Sequence, residues 1–151
     1  MPDIFTQEWY DAMLELANSK DDLSQKVPQG EWKIAIEIEG DDVSPYTPKG
    51  EFKYFFVHMV NGKIKELKPS KEKISGKGLN YRITGPAGVF ESMAAGIMDP
   101  IEKGLDGTLS IRGDMRMLMQ NADLANIIFD VYKSSELTVW PKGKPPYQAE
   151  G

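Results

Sequence analysis

The sequence contains no cysteine, and it contains a single histidine, His58. Disulfide bonds, thiolate nucleophiles and cysteine metal ligands are therefore excluded, and the absence of cysteine favours a reducing compartment. One histidine cannot form a metal centre that needs several imidazole ligands. The chain thus offers little material for nucleophilic or metal-centred chemistry.

Long apolar runs are also absent, since no stretch approaches the roughly 18–20 residues that span a bilayer. The first residues, which include Asp3 and Glu8, lack the basic-then-apolar order of a secretion signal. A hydrophobic content of 40% and a charged content of 27% are typical of a soluble globular protein. From these features we expect one domain over residues 1–151, located in the cytoplasm.

The formal net charge of −5 is distributed unevenly along the chain. Residues 1–51 carry twelve acidic and four basic side chains, whereas the rest carries eleven acidic and fourteen basic ones. Six lysines lie between Lys63 and Lys77. This strip predicts either a solvated hairpin edge or transient contact with anionic headgroups, at about 1 kcal/mol per lysine. Nucleic acid is not an expected partner, because the chain is acidic and lacks an arginine-aromatic cluster.

Hydrophobic periodicity predicts an amphipathic helix over about residues 5–18, with Thr6 as the candidate N-cap. The segment EWKIAIEIEG then alternates cleanly between apolar and polar side chains. Trp32, Ile34 and Ile36 share one face of this predicted strand, and charged side chains occupy the other. The pattern therefore indicates a strand with one buried and one wet face.

A hairpin is predicted in EFKYFFVHMVNGKIKEL, with its turn at Asn61-Gly62, the pair that best tolerates positive φ. A polar connector follows, and LNYRIT is predicted to be a fourth strand. Next comes a helix after Pro86, with its apolar stripe running from Phe90 to Ile97. We expect IEKGLDG to be a connector, TLSIRG to be a fifth strand, and Asp114 to cap a helix beginning in DMRMLMQ.

Hydrophobic periodicity predicts a further amphipathic helix and then a proline-rich tail at the end of the sequence, together about residues 122–151. We expect the tail PKGKPPYQAEG to be loosely held. Hairpins imply a largely antiparallel sheet with helices gathered on one face. The predicted fold class is therefore α+β.

Groups able to catalyse a reaction are scarce in this pattern. His58 falls in an alternating strand beside Tyr54 and Phe56, where a structural role is more common than that of a general base. The amides of Gly85–Gly88 could hold an anion at the start of a helix, but a tight entry into that helix explains the glycines equally well.

Methionine is concentrated late in the chain, since five of the eight methionines lie between Met93 and Met119. Met115, Met117 and Met119 occupy alternate positions, so a helix would spread them over more than one face. Methionine can be ordinary core, but it also adapts to irregular partners and suits surfaces that accept variable ligands. The pattern favours a hydrophobic cavity between sheet and helices.

Residues about 31–127 resemble the sterol carrier protein, or nonspecific lipid-transfer, family. The matching segments occur in the order of that family: EWKIAIEIEG, VHMVNGKIKEL, LNYRITGPAGVFESMAAGIMDP and GTLSIRGDMRMLMQ. The segment EWYDAMLELAN is similar to the leading helix of many bacterial and archaeal relatives. The loop Gly40–Gly50 is longer than in many members, and the last three residues lack the small-Lys-Leu peroxisomal address of eukaryotic ones.

The resemblance implies a five-stranded, mainly antiparallel sheet that is covered on one face by helices and encloses an elongated apolar tunnel. It implies non-catalytic binding of fatty acyl chains, sterols or other apolar molecules, with transfer as a further activity and no cofactor. Residues Leu124–Tyr132 would either cap this tunnel or plug it. The ligand-binding residues that the resemblance implies are Trp32, Ile34, Ile36, Phe90, Met93, Ile97, Met98, Leu109, Ile111, Met115, Leu118 and Met119.

Two alternatives to a lipid carrier stay open at this point. One is a structural or self-association module on the same scaffold, with a filled pocket and a homodimeric state. The other is an enzyme acting on a small apolar substrate, for which only Tyr81, His58, Asp114 or Arg112 could supply acid-base groups.

Overall fold

A computed structural model describes residues 2–19, 30–120 and 138–147. Five strands and four helices are defined within these residues. The strands are β1 (Glu31–Glu39), β2 (Phe52–Val60), β3 (Lys63–Ser70), β4 (Tyr81–Pro86) and β5 (Ser110–Gly113). The helices are α1 (Gln7–Asn18), α2 (Ala87–Ala94), α3 (Pro100–Leu105) and α4 (Met115–Gln120).

The strands form one mixed sheet in the order β3-β2-β1-β4-β5. Three of the four strand pairings are antiparallel, and only β1 and β4 run parallel. Both edge strands end at loops, and the polar crossover 71–80 links the edge strand β3 to β4. The α+β class and the five-stranded, mainly antiparallel sheet are thereby confirmed.

The two faces of the sheet differ in what covers them. The inner face consists of Trp32, Ile34, Ile36 and Ile38 of β1 with the residues that pair with them. Its side chains form the main apolar core with the helices: Ile36 and Ile38 pack in one cluster with buried residues of α1 and α2. The outer face consists of the alternate residues of β1, from Glu31 to Glu39, with the residues that pair with them.

The predicted hairpin is present between β2 and β3. Asn61 and Gly62 have φ angles of 48° and 83°, which are the positive values that a tight two-residue turn requires. The register shifts between His58 and Met59, so the β3 strand carries one extra residue near its start.

Helix α1 begins where the sequence predicted. The Thr6 side chain accepts a hydrogen bond from the Trp9 amide at 3.3 Å, which satisfies one free donor of the first turn. At the other end, the Asn18 side-chain amide donates to the Ile64 carbonyl and accepts from the Ile64 amide, both at 2.8 Å. Asn18 therefore forms the two backbone hydrogen bonds that a neighbouring strand would form, so this part of the β3 edge cannot pair with another strand.

Helix α2 starts directly after β4, with Pro86 in an extended conformation at its N-cap. Pro86 supplies no side-chain cap, and the Asp41 carboxylate instead accepts a hydrogen bond from the Gly88 amide at 2.8 Å. A negative charge at this end is stabilised by the helix dipole. The anion that the glycine-rich entry could hold is thus a side chain of the protein itself.

Helix α3 was not predicted, because IEKGLDG reads as a connector. The first turn of a helix tolerates a proline such as Pro100, because the N–H that proline lacks would have no partner there. The helix ends after six residues, at Leu105. Gly104 brings α3 close to β5: a Cβ atom at this position would lie 3.0 Å from Ile111 Cδ1. The glycine that suggested a loop therefore permits close packing on the edge strand.

The prediction of a loosely held tail was wrong for the part of it that the structure describes. We call Thr138–Tyr147 the C-terminal strap. Val139 forms a bridge with Asp3 beside the N-terminus, and the Tyr46 hydroxyl donates to the Gly143 carbonyl at 2.8 Å. The predicted helix that precedes the strap and residues 148–151 lie outside the described residues.

Candidate functional site

The first group of predicted ligand-binding residues lies on the inner face of β1. Ile36 is buried in the core cluster, and Trp32 and Ile34 are half-buried against it. The register places Ile34 opposite Val57 on one side and Tyr81 on the other. These three side chains therefore form a continuous apolar strip on the sheet.

The second group lies above this strip. Phe90 and Met93 of α2 and Leu109, which precedes β5, are each 4% exposed and belong to the same cluster as Ile36. Gly85 makes this packing possible, because a Cβ there would lie 2.5 Å from Leu109 Cδ2. The structure thus brings these predicted residues together in the interior.

The third group lies in the segment that follows α2, in β5, and in α4, which follows β5. Met98 and Ile111 are half-buried, whereas Ile97, Met115 and Met119 are exposed, Met119 by 69%. The side chain of Leu118 lies outside what the structure describes. Asp114 caps α4 as predicted, accepting a hydrogen bond from the Met117 amide at 3.1 Å.

Exposure therefore increases in steps across the predicted residues. It is lowest at Phe90, Met93 and Leu109, higher at Ile111 and Met98, and highest at Ile97, Met115 and Met119. Leu105 of α3, which the sequence did not suggest, is 78% exposed and belongs to the same end of the molecule through the α3–β5 packing. An apolar surface therefore adjoins the apolar interior at the β5 edge.

A polar cluster that sequence reasoning missed lies at the other end of α2. Glu91 is fully buried, and its carboxylate accepts hydrogen bonds from the Ser44 hydroxyl at 2.6 Å and from the Tyr147 hydroxyl. Nearby, the Lys53 ammonium donates to the Thr47 hydroxyl at 2.9 Å. The only available signal was an acidic residue inside an apolar helix, because its partners are distant in sequence.

Burial governs the protonation of this cluster. Desolvation raises the pKa of Glu91 above its ordinary value, and the hydrogen bonds from Ser44 and Tyr147 oppose this shift. Burial and the neighbouring Glu91 carboxylate raise the pKa of Tyr147, so this phenol stays protonated and donates. Burial also lowers the pKa of the Lys53 ammonium. The cluster joins α2, the loop 41–50 and the strap.

The four candidate acid-base groups do not converge on one point. His58 lies on the outer face, where its Nε2 is 3.2 Å from Glu31 Oε1. Tyr81 belongs to the inner face, and its hydroxyl donates to the Asp114 carbonyl at 2.8 Å. Arg112 is exposed and pairs across the sheet with Arg82. The sheet separates His58 from Tyr81, so these two groups cannot act on the same atom.

The described residues contain neither a metal-binding cluster nor a membrane-spanning helix. In that part of the chain, no group of three or more His, Asp or Glu side chains could hold a metal ion. No helix within the same residues is long and apolar enough to cross a membrane. A groove open to solvent is lined by Pro2, Asp3, Glu8 and Ala12, and none of the predicted ligand-binding residues contributes to it.

No family model matches the sequence, and no curated protein matches it. Solved structures do match. The conserved hypothetical protein TT1886 of Thermus thermophilus, described as a candidate sterol carrier protein, has a TM-score of 0.72 at 16% identity and covers 93% of each chain. A crystal structure of sterol carrier protein 2 has a TM-score of 0.74 at 15% identity, covering 87% of this chain and 98% of that one.

A third solved structure is that of palmitated SCP2L2 from Aedes aegypti. It has a TM-score of 0.52 at 10% identity, and the match covers 82% of this chain and 95% of that one. Identities this low establish the architecture alone. The order of the strands, the helices on the inner face and these structural matches together show that this chain has the fold of sterol carrier protein 2.

Proposed function

We propose that this protein binds a lipid or another apolar small molecule between the inner face of the sheet and the helices, without catalysis. The observation that carries the proposal is that the apolar side chains near β5 become more exposed in steps, from the interior to the surface. There, buried Leu109 precedes β5, half-buried Ile111 lies in β5, and exposed Met115 and Met119 lie in α4, which follows β5 along the chain. A site that admits an apolar chain needs such a transition from surface to interior.

The composition of this region suits a carrier. Each buried methylene is worth about 0.8 kcal/mol, so a sixteen-carbon chain would gain roughly 12 kcal/mol gross. A lipid that leaves a bilayer gives up a similar amount, so exchange between bilayer and protein is close to neutral. Methionine side chains further allow the site to accept chains of different shape.

The names of two proteins with similar solved structures support this proposal. One is sterol carrier protein 2, and another is a palmitated protein. The lysines of the Lys63–Lys77 strip supply a route to membrane contact, because Lys65, Lys71 and Lys77 are all exposed. Anionic headgroups would attract them at about 1 kcal/mol each.

A second candidate function is favoured by the packing of the interior. Ile36, Phe90, Met93 and Leu109 belong to one cluster of buried side chains. If these residues fill the interior permanently, the chain is a structural or self-association module on the same scaffold. The two functions differ in one property, which is whether an apolar molecule occupies the protein.

The test is extraction of the natively purified protein with organic solvent, followed by mass spectrometry. We expect a lipid near one equivalent per chain. Titration of the delipidated protein with a fluorescent fatty acid then measures reversible binding. A protein that purifies without lipid and gives no saturable fluorescence change would favour the module.

A further inference from the structure

The outer face of β2 carries a row of rings where a solvent-facing strand normally carries polar side chains. Phe52, Tyr54, Phe56 and His58 occupy alternate positions there. The rings of Phe52 and Tyr54 are stacked, with centroids 5.9 Å and planes 2° apart, and the rings of Phe56 and His58 are 6.1 Å apart. Phe52 is 48% exposed. An apolar row of this kind on a surface marks an interaction site.

The described elements cover only part of this face. The contacts that place α1, α2 and α3 involve inner-face residues such as Phe55 and Ile111. The crossover 71–80 lies over the β1–β4 side, where the Arg82 guanidinium donates to the Ile74 carbonyl and pairs with Glu37. Among the described residues, Ala35 and Glu37 on the β1 flank are buried, and Tyr54, Phe56 and His58 of the row are half-buried. The accessible part of the face is therefore the aromatic row, the β3 flank and the end of β1 that carries Glu31 and Lys33.

The charges that flank the aromatic row are arranged in a complementary way. Across the sheet, His58 has Lys33 of β1 on one side and Glu66 of β3 on the other. At the next level, Val60 lies between Glu31 and Lys63. At both levels a charge on the β1 flank has the opposite sign to the charge on the β3 flank. Anionic headgroups would favour positive charge on both flanks, so this arrangement selects a different partner.

A twofold axis that runs along β2 exchanges the two flanks of the row. In a pair of chains related by this axis, β1 of one chain faces β3 of the other. The position of Lys33 then faces that of Glu66 of the second copy and the position of Glu31 faces that of Lys63, while the aromatic rows meet at the centre. Within one chain Lys33 pairs with Glu31 at 3.2 Å and the Lys63 ammonium donates to the Asn18 carbonyl at 3.1 Å, so dimerisation exchanges these contacts for contacts between the copies. We propose that the outer face of β1–β3 is a homodimer interface, in which two copies pack face to face across β2.

This inference does not depend on lipid binding, because the ligand site lies on the inner face. Failure of the proposed dimer would leave lipid extraction unaffected, and failure of lipid binding would leave the dimer intact. The test therefore measures association alone, by analytical ultracentrifugation of the full chain over a range of concentrations. We expect a reversible monomer–dimer equilibrium.

Charge reversal tests the geometry. Lys33→Glu and Glu66→Lys each place two like-charged pairs in the interface, and each should weaken dimerisation by about tenfold or more. An equimolar mixture of these two variants should regain association, because every pair across a mixed dimer is then of opposite sign. Glu15→Lys on the exposed side of α1 is the control and should associate like the wild type.

Phe56→Ser tests the aromatic row and should also weaken association, with circular dichroism confirming that the variant is folded. A wild-type chain that sediments as a monomer, including one that binds phosphatidylserine vesicles through this face instead, would overturn the proposal. A dimer that both charge reversals leave unchanged, or a mixture of the two variants that stays monomeric, would also overturn it.

Discussion

Tyr147 donates a hydrogen bond to Glu91, and this contact fastens the C-terminal strap to a carboxylate that is fully buried in α2. The same carboxylate accepts a hydrogen bond from Ser44, so three segments that are distant in sequence meet at one group. A buried carboxylate is costly unless its oxygens are satisfied. The strap is therefore part of the folded domain, and its attachment can be measured as stability.

Tyr147→Phe removes the donor and leaves one oxygen of Glu91 without this partner. We expect the free energy of unfolding to fall by about 1–3 kcal/mol, which is the cost of an unsatisfied buried polar group. Tyr81→Phe is a matched comparison, since its hydroxyl donates to the neutral Asp114 carbonyl and should cost about 0.5–1.5 kcal/mol. Urea unfolding measures both. Equal losses, or no loss for Tyr147→Phe, would contradict this role.

Glu91 should also make stability depend on pH. Burial raises its pKa in the folded protein above the ordinary value of 4.5. Its contribution is therefore complete below pH 4.5, where both states hold the proton, and is lost as the pH rises through the raised pKa. Glu91→Gln removes this titration. The unfolding free energy of the wild type minus that of the variant should thus decrease with pH above 4.5, and a difference independent of pH would refute the assignment.

The attachment of α1 to the edge strand gives another stability prediction. Asn18→Ala removes two hydrogen bonds to the backbone of Ile64, so we expect a loss of about 1–3 kcal/mol. Gln7→Ala is the control on the same helix, because the Gln7–Asp11 bond is exposed and should contribute less than about 0.5 kcal/mol. Thermal and urea unfolding compare the two. Similar values for both variants would show that Asn18 does not hold the β3 edge.

The apolar surface at the β5 edge is tested by binding. Met115→Gln and Met119→Gln keep the length of the side chain and add a polar amide, so each should weaken binding of a fluorescent fatty acid by about fivefold or more. Val43→Thr is the control, since Val43 is 51% exposed on the loop at the opposite end of α2. Unchanged affinity in both methionine variants would place the ligand elsewhere.

Local patterns were sufficient to predict much of the architecture. The β1 strand, the Asn61-Gly62 turn and the Thr6 cap each depend on neighbours within a few residues, and the structure confirms all three. The wet face predicted for β1 was wrong at Ala35 and Glu37, which are both buried, and Glu37 pairs there with Arg82 of β4. The helix α3 was missed because Pro100 and Gly104 read as loop residues, although one suits a first turn and the other permits close packing on β5.

The polar cluster could not be predicted for a different reason. Ser44, Glu91 and Tyr147 are separated by 47 and 56 positions, and no periodicity connects them. The same holds for the strap, whose prolines suggested a loose tail while its hydrogen bonds are made with Tyr46. For the predicted ligand-binding residues, the sequence located the inner-face strip, but how far each side chain is exposed depends on the packing of α3 and α4.

The central claim is that an apolar molecule enters between the inner sheet face and the helices, from the β5 edge. The most direct measurement is mass spectrometry of the organic extract of natively purified protein, made in parallel for the wild type and for Met119→Gln. We expect a lipid near one equivalent per chain in the wild type and clearly less in the variant. A wild-type protein that carries no lipid and takes up none when supplied with fatty acid would contradict it.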